Sequence, residues 1–183
     1  SVPADNPFTD RSDARPEIWS YGHRNVQGLA WDVDRAVLWQ HEHGPRGGDE
    51  INRIEAGTNY GWPIATQGID YSGATISPFE SRPGMVDPEL VWTPSIAPSG
   101  LEVYRGEQFP AWQGDLLASA LVSRDVRRIT VDGEDLTEAE PLFGEIGDRL
   151  RDVAVAPDGS LYLLTDAPDG RVLRVVPVRA TDG

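Results

Sequence analysis

Short apolar runs alternate with polar, turn-forming residues along most of the chain, and this pattern predicts β-strands. Strand-length segments lie at 28–32, 36–41 and 50–54, and a further strand is predicted at 17–21. The arrangement recurs twice towards the C-terminus, where Asp-Gly pairs mark hairpin turns. Helix is hardly indicated anywhere, so the sequence favours an all-β fold of short antiparallel strands.

The strands group into three meander units of roughly 40 to 50 residues, which is the size of a β-propeller blade. The units span about 17–62, 95–143 and 149–178, and the mostly irregular segment 64–91 is interpreted as an insertion between two blades. We therefore predict a single partial β-propeller domain over residues 1–183, with about three four-stranded blades.

The composition and charge of the chain exclude several kinds of chemistry and make some binding partners unfavourable. The formal net charge is −14, which disfavours nucleic acid and anionic membrane surfaces. All 16 cationic residues are arginine, so lysine chemistry is excluded, and the absence of cysteine excludes disulfides, thiolate nucleophiles and cysteine-ligated zinc. No apolar run has the roughly 20 residues of a membrane span.

Two arginines near the C-terminus are candidate anion ligands. Arg149 and Arg151 alternate along the entry to a predicted strand, so their side chains are expected on the same side. Two guanidinium groups aimed together would repel each other unless an anion lay between them. The alternative is a solvated surface pair beside Asp148 and Asp152.

Five ordered segments together resemble the soluble PQQ-dependent sugar dehydrogenases, also called aldose sugar dehydrogenases or the glucose/sorbosone dehydrogenase family. They are Tyr21-Gly22-His23-Arg24-Asn25-Val26-Gln27-Gly28, His41 to Asn52, Gly57-Thr58-Asn59-Tyr60-Gly61-Trp62-Pro63, Trp92 to Leu101 and Asp148 to Val153. The resemblance covers the C-terminal half of the family enzyme. That family closes a ring of six blades, so three blades alone would leave two apolar faces open. We expect these faces to be covered by a missing N-terminal half or by a second copy of the chain.

The resemblance implies PQQ and Ca²⁺ as cofactors. It assigns PQQ contacts to Arg24, Asn25, Tyr71, Arg149 and Arg151. PQQ is a planar quinone with several carboxylates, and arginine suits such a ligand because its planar fork binds a carboxylate bidentately.

Calcium ligands are implied in two places. The acidic loop 44–52 lacks the spacing of an EF-hand, but calcium prefers oxygen ligands and a Gly-Pro turn exposes carbonyls. By resemblance, the carbonyls of Gly44 and Pro45 bind the calcium that holds the cofactor, and Glu50 with the carbonyl of Tyr60 forms a second, structural site. The His41-x-His43 pair could instead bind zinc, but two ligands do not complete a site.

The chain departs from the family pattern at two positions and lacks one functional group. Val26 replaces a common proline, and Val122 replaces a lysine that pairs with PQQ. The general-base histidine of the family has no counterpart here, so catalytic residues are absent and the isolated chain is expected to be inactive. In the whole enzyme, aldoses are oxidised at C1 to lactones and electrons pass to an external acceptor.

The family resemblance implies a periplasmic or secreted protein, with any signal upstream of residue 1. The rival interpretation is a non-catalytic propeller segment for calcium-dependent or protein binding. A calcium-dependent lactonase propeller is a further alternative, but it would need several side chains to converge on one metal.

Overall fold

The computed structural model describes residues 1–178, and in this range the chain forms eleven β-strands in three antiparallel sheets. The first sheet contains, in spatial order, β1 (Val26–Asp32), β2 (Val37–Glu42), β3 (Asp49–Ile54) and β4 (Leu90–Trp92). The second contains β5 (Pro98–Val103), β6 (Leu116–Ala120), β7 (Val126–Asp132) and β8 (Asp135–Leu142). The third contains β9 (Leu150–Val155), β10 (Leu161–Thr165) and β11 (Val172–Val175). Two 3₁₀ turns, Pro110–Trp112 and Gly144–Ile146, are the only helical elements in the described range.

The sheets follow one another as propeller blades do. The first strands of consecutive sheets are neighbours, since β1 packs on β5 and β5 packs on β9. This arrangement confirms the all-β propeller prediction and places the loops that precede these strands close together.

The second sheet is covered on both faces. Every residue of β6 is buried, and because side chains alternate along a strand, Leu116 joins the core shared with the first sheet while Leu117 joins the core shared with the third. The third sheet is covered on one face only, and the first sheet leaves the outward side of β1 exposed, although residues 39–42 of β2 are all buried. In β1, Ala30 and Asp32 are buried while Trp31 is exposed.

Three details differ from the sequence-based expectation. Residues 17–21 do not form a strand; only Tyr21 makes a bridge, to Asn59, because this stretch runs beside the turn at 57–60 rather than beside an extended strand. The segment 64–91 does not separate two blades, because β4 pairs with β3 and closes the first sheet after the excursion. The third sheet has three strands within residues 1–178 instead of four.

The excursion between β3 and β4 returns to the loop end of the first sheet. Its residues Ile69 and Thr75 form a small bridge, and Tyr71 lies at the tip between them. Within the described residues, no helix is long and apolar enough to cross a membrane.

Candidate functional site

The loop 44–48 joins β2 to β3 and is fixed by a buried carboxylate. The backbone N–H of Gly44 donates to Asp49 Oδ1 at 2.9 Å. The other carboxylate oxygen of Asp49 accepts hydrogen bonds from Ser95 Oγ at 2.6 Å and from the backbone N–H of Ala97 at 2.8 Å. Asp49 is fully buried, so one side chain ties the loop of the first sheet to the segment that enters the second.

The loop presents two backbone oxygens without hydrogen-bonding partners. Among residues 1–178, no donor contacts the carbonyl oxygen of Gly44 or of Pro45. A side chain at Gly44 would overlap the carbonyl of Gly47, so only glycine allows this tight turn. Free carbonyl oxygens on a rigid turn are ligands that Ca²⁺ accepts, and the loop therefore fits the predicted metal.

A cavity of about 560 Å³ opens beside this loop. Its lining includes Gly44, Pro45, His43, Tyr71 and Val122. Tyr71 is 70% exposed and therefore has few contacts that would prevent its ring from packing on a ligand. The structure thus brings together the predicted calcium loop, the predicted PQQ-contacting tyrosine and the position where the expected lysine is replaced.

Arg24 and Asn25 do not line this cavity, but both contact His43, which does. Both backbone N–H groups donate to Glu42 Oε2, at 2.6 Å and 3.0 Å, which fixes the turn that carries the two side chains. Arg24 Nη1 donates to the carbonyl of His43 at 3.0 Å, and its guanidinium lies 5.4 Å from the centre of the Trp62 ring. Asn25 accepts the backbone N–H of His43 at 3.0 Å through its own carbonyl.

Arg149 and Arg151 point to the same side, as their spacing predicts. Arg149 Nε and Arg151 Nη2 bind the two oxygens of Asp166, at 2.8 Å and 3.1 Å. The hydrogen bond from Arg149 lowers the pKa of Asp166 most, and the hydrogen bond from Arg151 lowers it further. The anion that the arginine pair requires is therefore supplied by the protein itself, and sequence reasoning did not anticipate Asp166 in this role.

Arg151 also lines a second cavity, of about 410 Å³, together with Gln27, Ser99 and Asp152. This cavity lies where β1, β5 and β9 meet, because each strand contributes to its lining. One segment lines both cavities, the first with residues 93–95 and 97 and the second with residues 99–101. Where these stretches meet, His43 Nε2 hydrogen-bonds the Pro98 carbonyl at 2.7 Å, and Ser99 Oγ donates to the carbonyl of Leu150 at 2.8 Å.

Glu50 lies outside both cavities, in a cluster of acids. It faces Glu42 across β2 and β3, and burial raises its pKa to about 7, with the charges of Glu42 and Asp49 adding to the effect. Tyr60 adjoins the same cluster, because its ring stacks on His23 at 4.8 Å and His23 Nδ1 lies 3.4 Å from Glu42. A cation beside Glu50 and Glu42 would relieve their repulsion, so this cluster also fits an oxygen-bound metal.

The three histidines do not form a zinc site. His41 is fully buried, and burial lowers its pKa to about 4, so it is neutral at physiological pH. His43 is engaged with Pro98 and His23 with Ser20, at 2.8 Å. Over residues 1–178, no group of three or more His, Asp or Glu side chains is placed to hold a metal ion.

Asp49, Glu42 and Asp166 are the site residues that sequence reasoning missed. Each is an acid next to a strand end, and acids are frequent at such positions in this chain. What distinguishes these three is the set of N–H groups and guanidiniums that surrounds them, and those donors come from distant parts of the sequence.

Comparisons with known proteins identify the family of this chain. The sequence matches the family described as Glucose / Sorbosone dehydrogenase over residues 1–174. It is 47% identical to the aldose sugar dehydrogenase YliI of Escherichia coli (strain K12) over 178 residues, which is 96% of this chain and 48% of that protein.

The structure resembles solved members of the same group. The crystal structure of the soluble aldose sugar dehydrogenase from Escherichia coli in the apo-form matches with a TM-score of 0.92 and 46% identity, over 97% of this chain and 52% of that one. The PQQ-bound form of the aldose sugar dehydrogenase from Streptomyces coelicolor matches with a TM-score of 0.66 and 35% identity, over 94% of this chain and 48% of that one. The chain spans about half the length of these relatives. It belongs to the glucose/sorbosone dehydrogenase family.

Proposed function

We propose that this chain supplies the calcium-binding and PQQ-binding part of an enzyme that oxidises aldose sugars at C1 to lactones. The observation that carries the proposal is that Gly44, Pro45 and Tyr71 line one cavity. The family, the aldose sugar dehydrogenase relative and the PQQ-bound neighbour support it.

Each group in the site has a distinct role. The carbonyls of Gly44 and Pro45 hold calcium. Arg149 and Arg151 bind carboxylates of PQQ, and they either give up their ion pairs with Asp166 or keep them while the ligand is bound. Arg24 and Asn25 orient the ligand at the mouth of the site, and Tyr71 packs against it. In a site held by these residues, bound PQQ would supply a quinone as hydride acceptor, and bound calcium would supply Lewis-acid polarisation of that quinone. We assign the base that takes the sugar's proton to polypeptide outside this chain, and the electrons leave through an external acceptor.

A titration of the chain with PQQ in the presence and absence of Ca²⁺, followed by cofactor absorbance, tests this assignment. We expect saturable, calcium-dependent binding that is lost in the Arg149→Ala/Arg151→Ala double variant. Arg11→Ala is the matched control, because Arg11 is also an exposed arginine paired with an aspartate, Asp13. Binding that survives in the double variant, or is lost equally in the control, would refute the arginine clamp.

We assign a second, structural calcium ion to Glu50 and the carbonyl of Tyr60. The acidic cluster around Glu50 supports this assignment, because Glu42 lies directly opposite Glu50 in the β2–β3 pairing and its charge contributes to the raised pKa of Glu50. Calorimetric titration is expected to show two calcium ions per chain, and Glu50→Gln is expected to remove one. A stoichiometry that Glu50→Gln leaves unchanged would refute the second site.

We also propose that the exposed faces of the first and third sheets are covered by further polypeptide of a longer protein. Trp31 on β1 and Tyr162 and Leu164 on β10 alternate with buried residues and are exposed. The E. coli relative superposes closely yet is about twice as long, which supports this source of the cover. Sedimentation of the isolated chain is expected to show association; a dimer of defined size would identify a second copy as the partner, and a non-associating monomer would refute the proposal.

A non-catalytic binding segment is the second candidate. Two observations favour it: Val122 lines the cavity with an uncharged side chain where the family resemblance implies a PQQ-binding lysine, and Asp166 already neutralises the arginine pair. This candidate predicts no sugar oxidation when PQQ, Ca²⁺ and a polypeptide corresponding to the rest of the relatives' length are all added. Measurable oxidation of glucose by that reconstituted mixture, with an artificial electron acceptor, would exclude it. For the dehydrogenase proposed above, we expect a periplasmic or secreted location.

A further inference from the structure

The backbone at Gly68 packs directly against the calcium loop. A β-carbon placed on Gly68 would lie 2.7 Å from the carbonyl oxygen of Gly47 and 2.7 Å from Pro45 Cδ. From the other side, a β-carbon on Gly48 would lie 2.6 Å from the Gly68 nitrogen. The two segments therefore touch backbone to backbone, and the outline of the loop is set partly by a residue 20 or more positions away in sequence.

A buried hydroxyl fixes Gly68 in this place. Thr66 Oγ1 accepts the backbone N–H of Gly68 at 3.1 Å, and the backbone N–H of Thr66 donates to the carbonyl of Phe79 at 3.0 Å. The Thr66 side chain is buried, so this hydrogen bond is shielded from water.

Gly68 leads directly into the turn that carries Tyr71. Ile69 pairs with Thr75, the N–H of Asp70 donates to the carbonyl of Ala74 at 2.9 Å, and Tyr71 borders the same cavity as Gly44 and Pro45. The calcium loop and the tyrosine are consequently connected through one short, rigid contact.

We propose that Thr66 and Gly68 are positioning residues that set the geometry of the Gly44 and Pro45 carbonyls and couple calcium binding to the placement of Tyr71. The proposal rests on the calcium assignment made above. Because coupling between two sites is reciprocal, the free energy by which bound calcium stabilises the ordered 69–75 turn equals the free energy by which the ordered turn strengthens calcium binding.

Calcium titration of substituted chains tests the positioning role. All variants carry Glu50→Gln, so that only the loop site is titrated, and the chain with Glu50→Gln alone is the parent. Gly68→Ala is expected to weaken calcium binding about tenfold or more, because the added methyl group displaces Pro45 or the Gly47 carbonyl. Gly144→Ala is the matched control, since among residues 1–178 only the adjacent residues have a heavy atom within 4 Å of its added carbon, and neither glycine has a φ in the left-handed region.

Substitutions at Thr66 probe the same contact more gently. Thr66→Val removes the hydroxyl that accepts the Gly68 N–H and is expected to weaken calcium binding several-fold, whereas Thr66→Ser retains the hydroxyl and should bind as the parent does. Hydrogen exchange of the 66–76 peptide is expected to slow on adding Ca²⁺ in the parent, in Thr66→Ser and in Gly144→Ala. It should respond little in Gly68→Ala.

The outcomes separate the two proposals. If the parent chain binds no calcium, the calcium assignment fails and the coupling fails with it. If the parent binds calcium and both Gly68→Ala and Thr66→Val bind it equally well, the calcium site stands and the positioning role is refuted. A purely structural role would lower the melting temperature without calcium but leave the calcium affinity and the calcium-induced slowing of exchange unchanged, which would also refute it.

Discussion

Asp49 is the residue whose substitution should most clearly disrupt the site scaffold. Its fully buried carboxylate accepts three hydrogen bonds, from Gly44, Ser95 and Ala97. A hydrogen bond to a charged group contributes roughly 1.5 to 3 kcal/mol, and a buried donor left without an acceptor adds a desolvation cost. Asp49→Ala removes all three and leaves a cavity, so we expect it to lower the free energy of unfolding by about 5 kcal/mol or more.

Asp49→Asn gives a sharper test because it conserves shape. In either orientation of the amide, its NH₂ group faces a backbone N–H that cannot accept a hydrogen bond, at Gly44 or at Ala97. We expect a loss of about 2 to 3 kcal/mol, and about 1 to 2 kcal/mol for Ser95→Ala, which removes one of the three bonds.

Urea unfolding monitored by circular dichroism measures these differences at constant m-value. Asp169→Asn is the control, because Asp169 is exposed and no described residue donates a hydrogen bond to its side chain. An Asp49→Asn variant within about 0.5 kcal/mol of the unsubstituted chain would refute the view that this carboxylate holds the two sheets' loops together.

Three further predictions concern charge and exposed surface. In calcium-free buffer the native state has a Glu50 pKa of about 7, against an ordinary value of 4.5, so Glu50 stays protonated in the native state until the pH approaches 7. The free energy of unfolding should therefore fall by up to roughly 3 kcal/mol as pH rises from 4.5 to 7, and urea midpoints should show that Glu50→Gln removes most of this slope. Val122→Lys should tighten PQQ binding about tenfold at low salt, because it returns a cation to the cavity, and an unchanged dissociation constant would contradict this. Trp31→Glu should reduce self-association in sedimentation experiments by placing a charge on the exposed face of the first sheet, and undiminished association would show that this face is not involved.

Local pattern was sufficient for much of the fold. Strands β1 to β3 lie within two residues of the segments predicted from alternating apolar positions and turns, because burial on one face of a sheet imposes that alternation. The order of the sheets could also be predicted, since consecutive meanders in a propeller are neighbours in space. The strand predicted at 17–21 was wrong because this stretch has no neighbouring strand to pair with and makes only the single bridge from Tyr21 to Asn59. β4 was missed because it is three residues long and lies at the end of a segment that otherwise contains turns, loops and one isolated bridge.

The sequence by itself determined the all-β class, the blade-sized units, the common direction of Arg149 and Arg151 and, through five ordered motifs, the family. Only the tertiary structure decided that Asp166 lies between the arginines, that Asp49 holds two loops and that Gly68 touches the calcium loop. The physical reason is that strand formation depends on the alternation of neighbouring side chains, whereas a buried carboxylate or a glycine contact depends on partners from distant segments. Those partners are brought together only when the sheets pack.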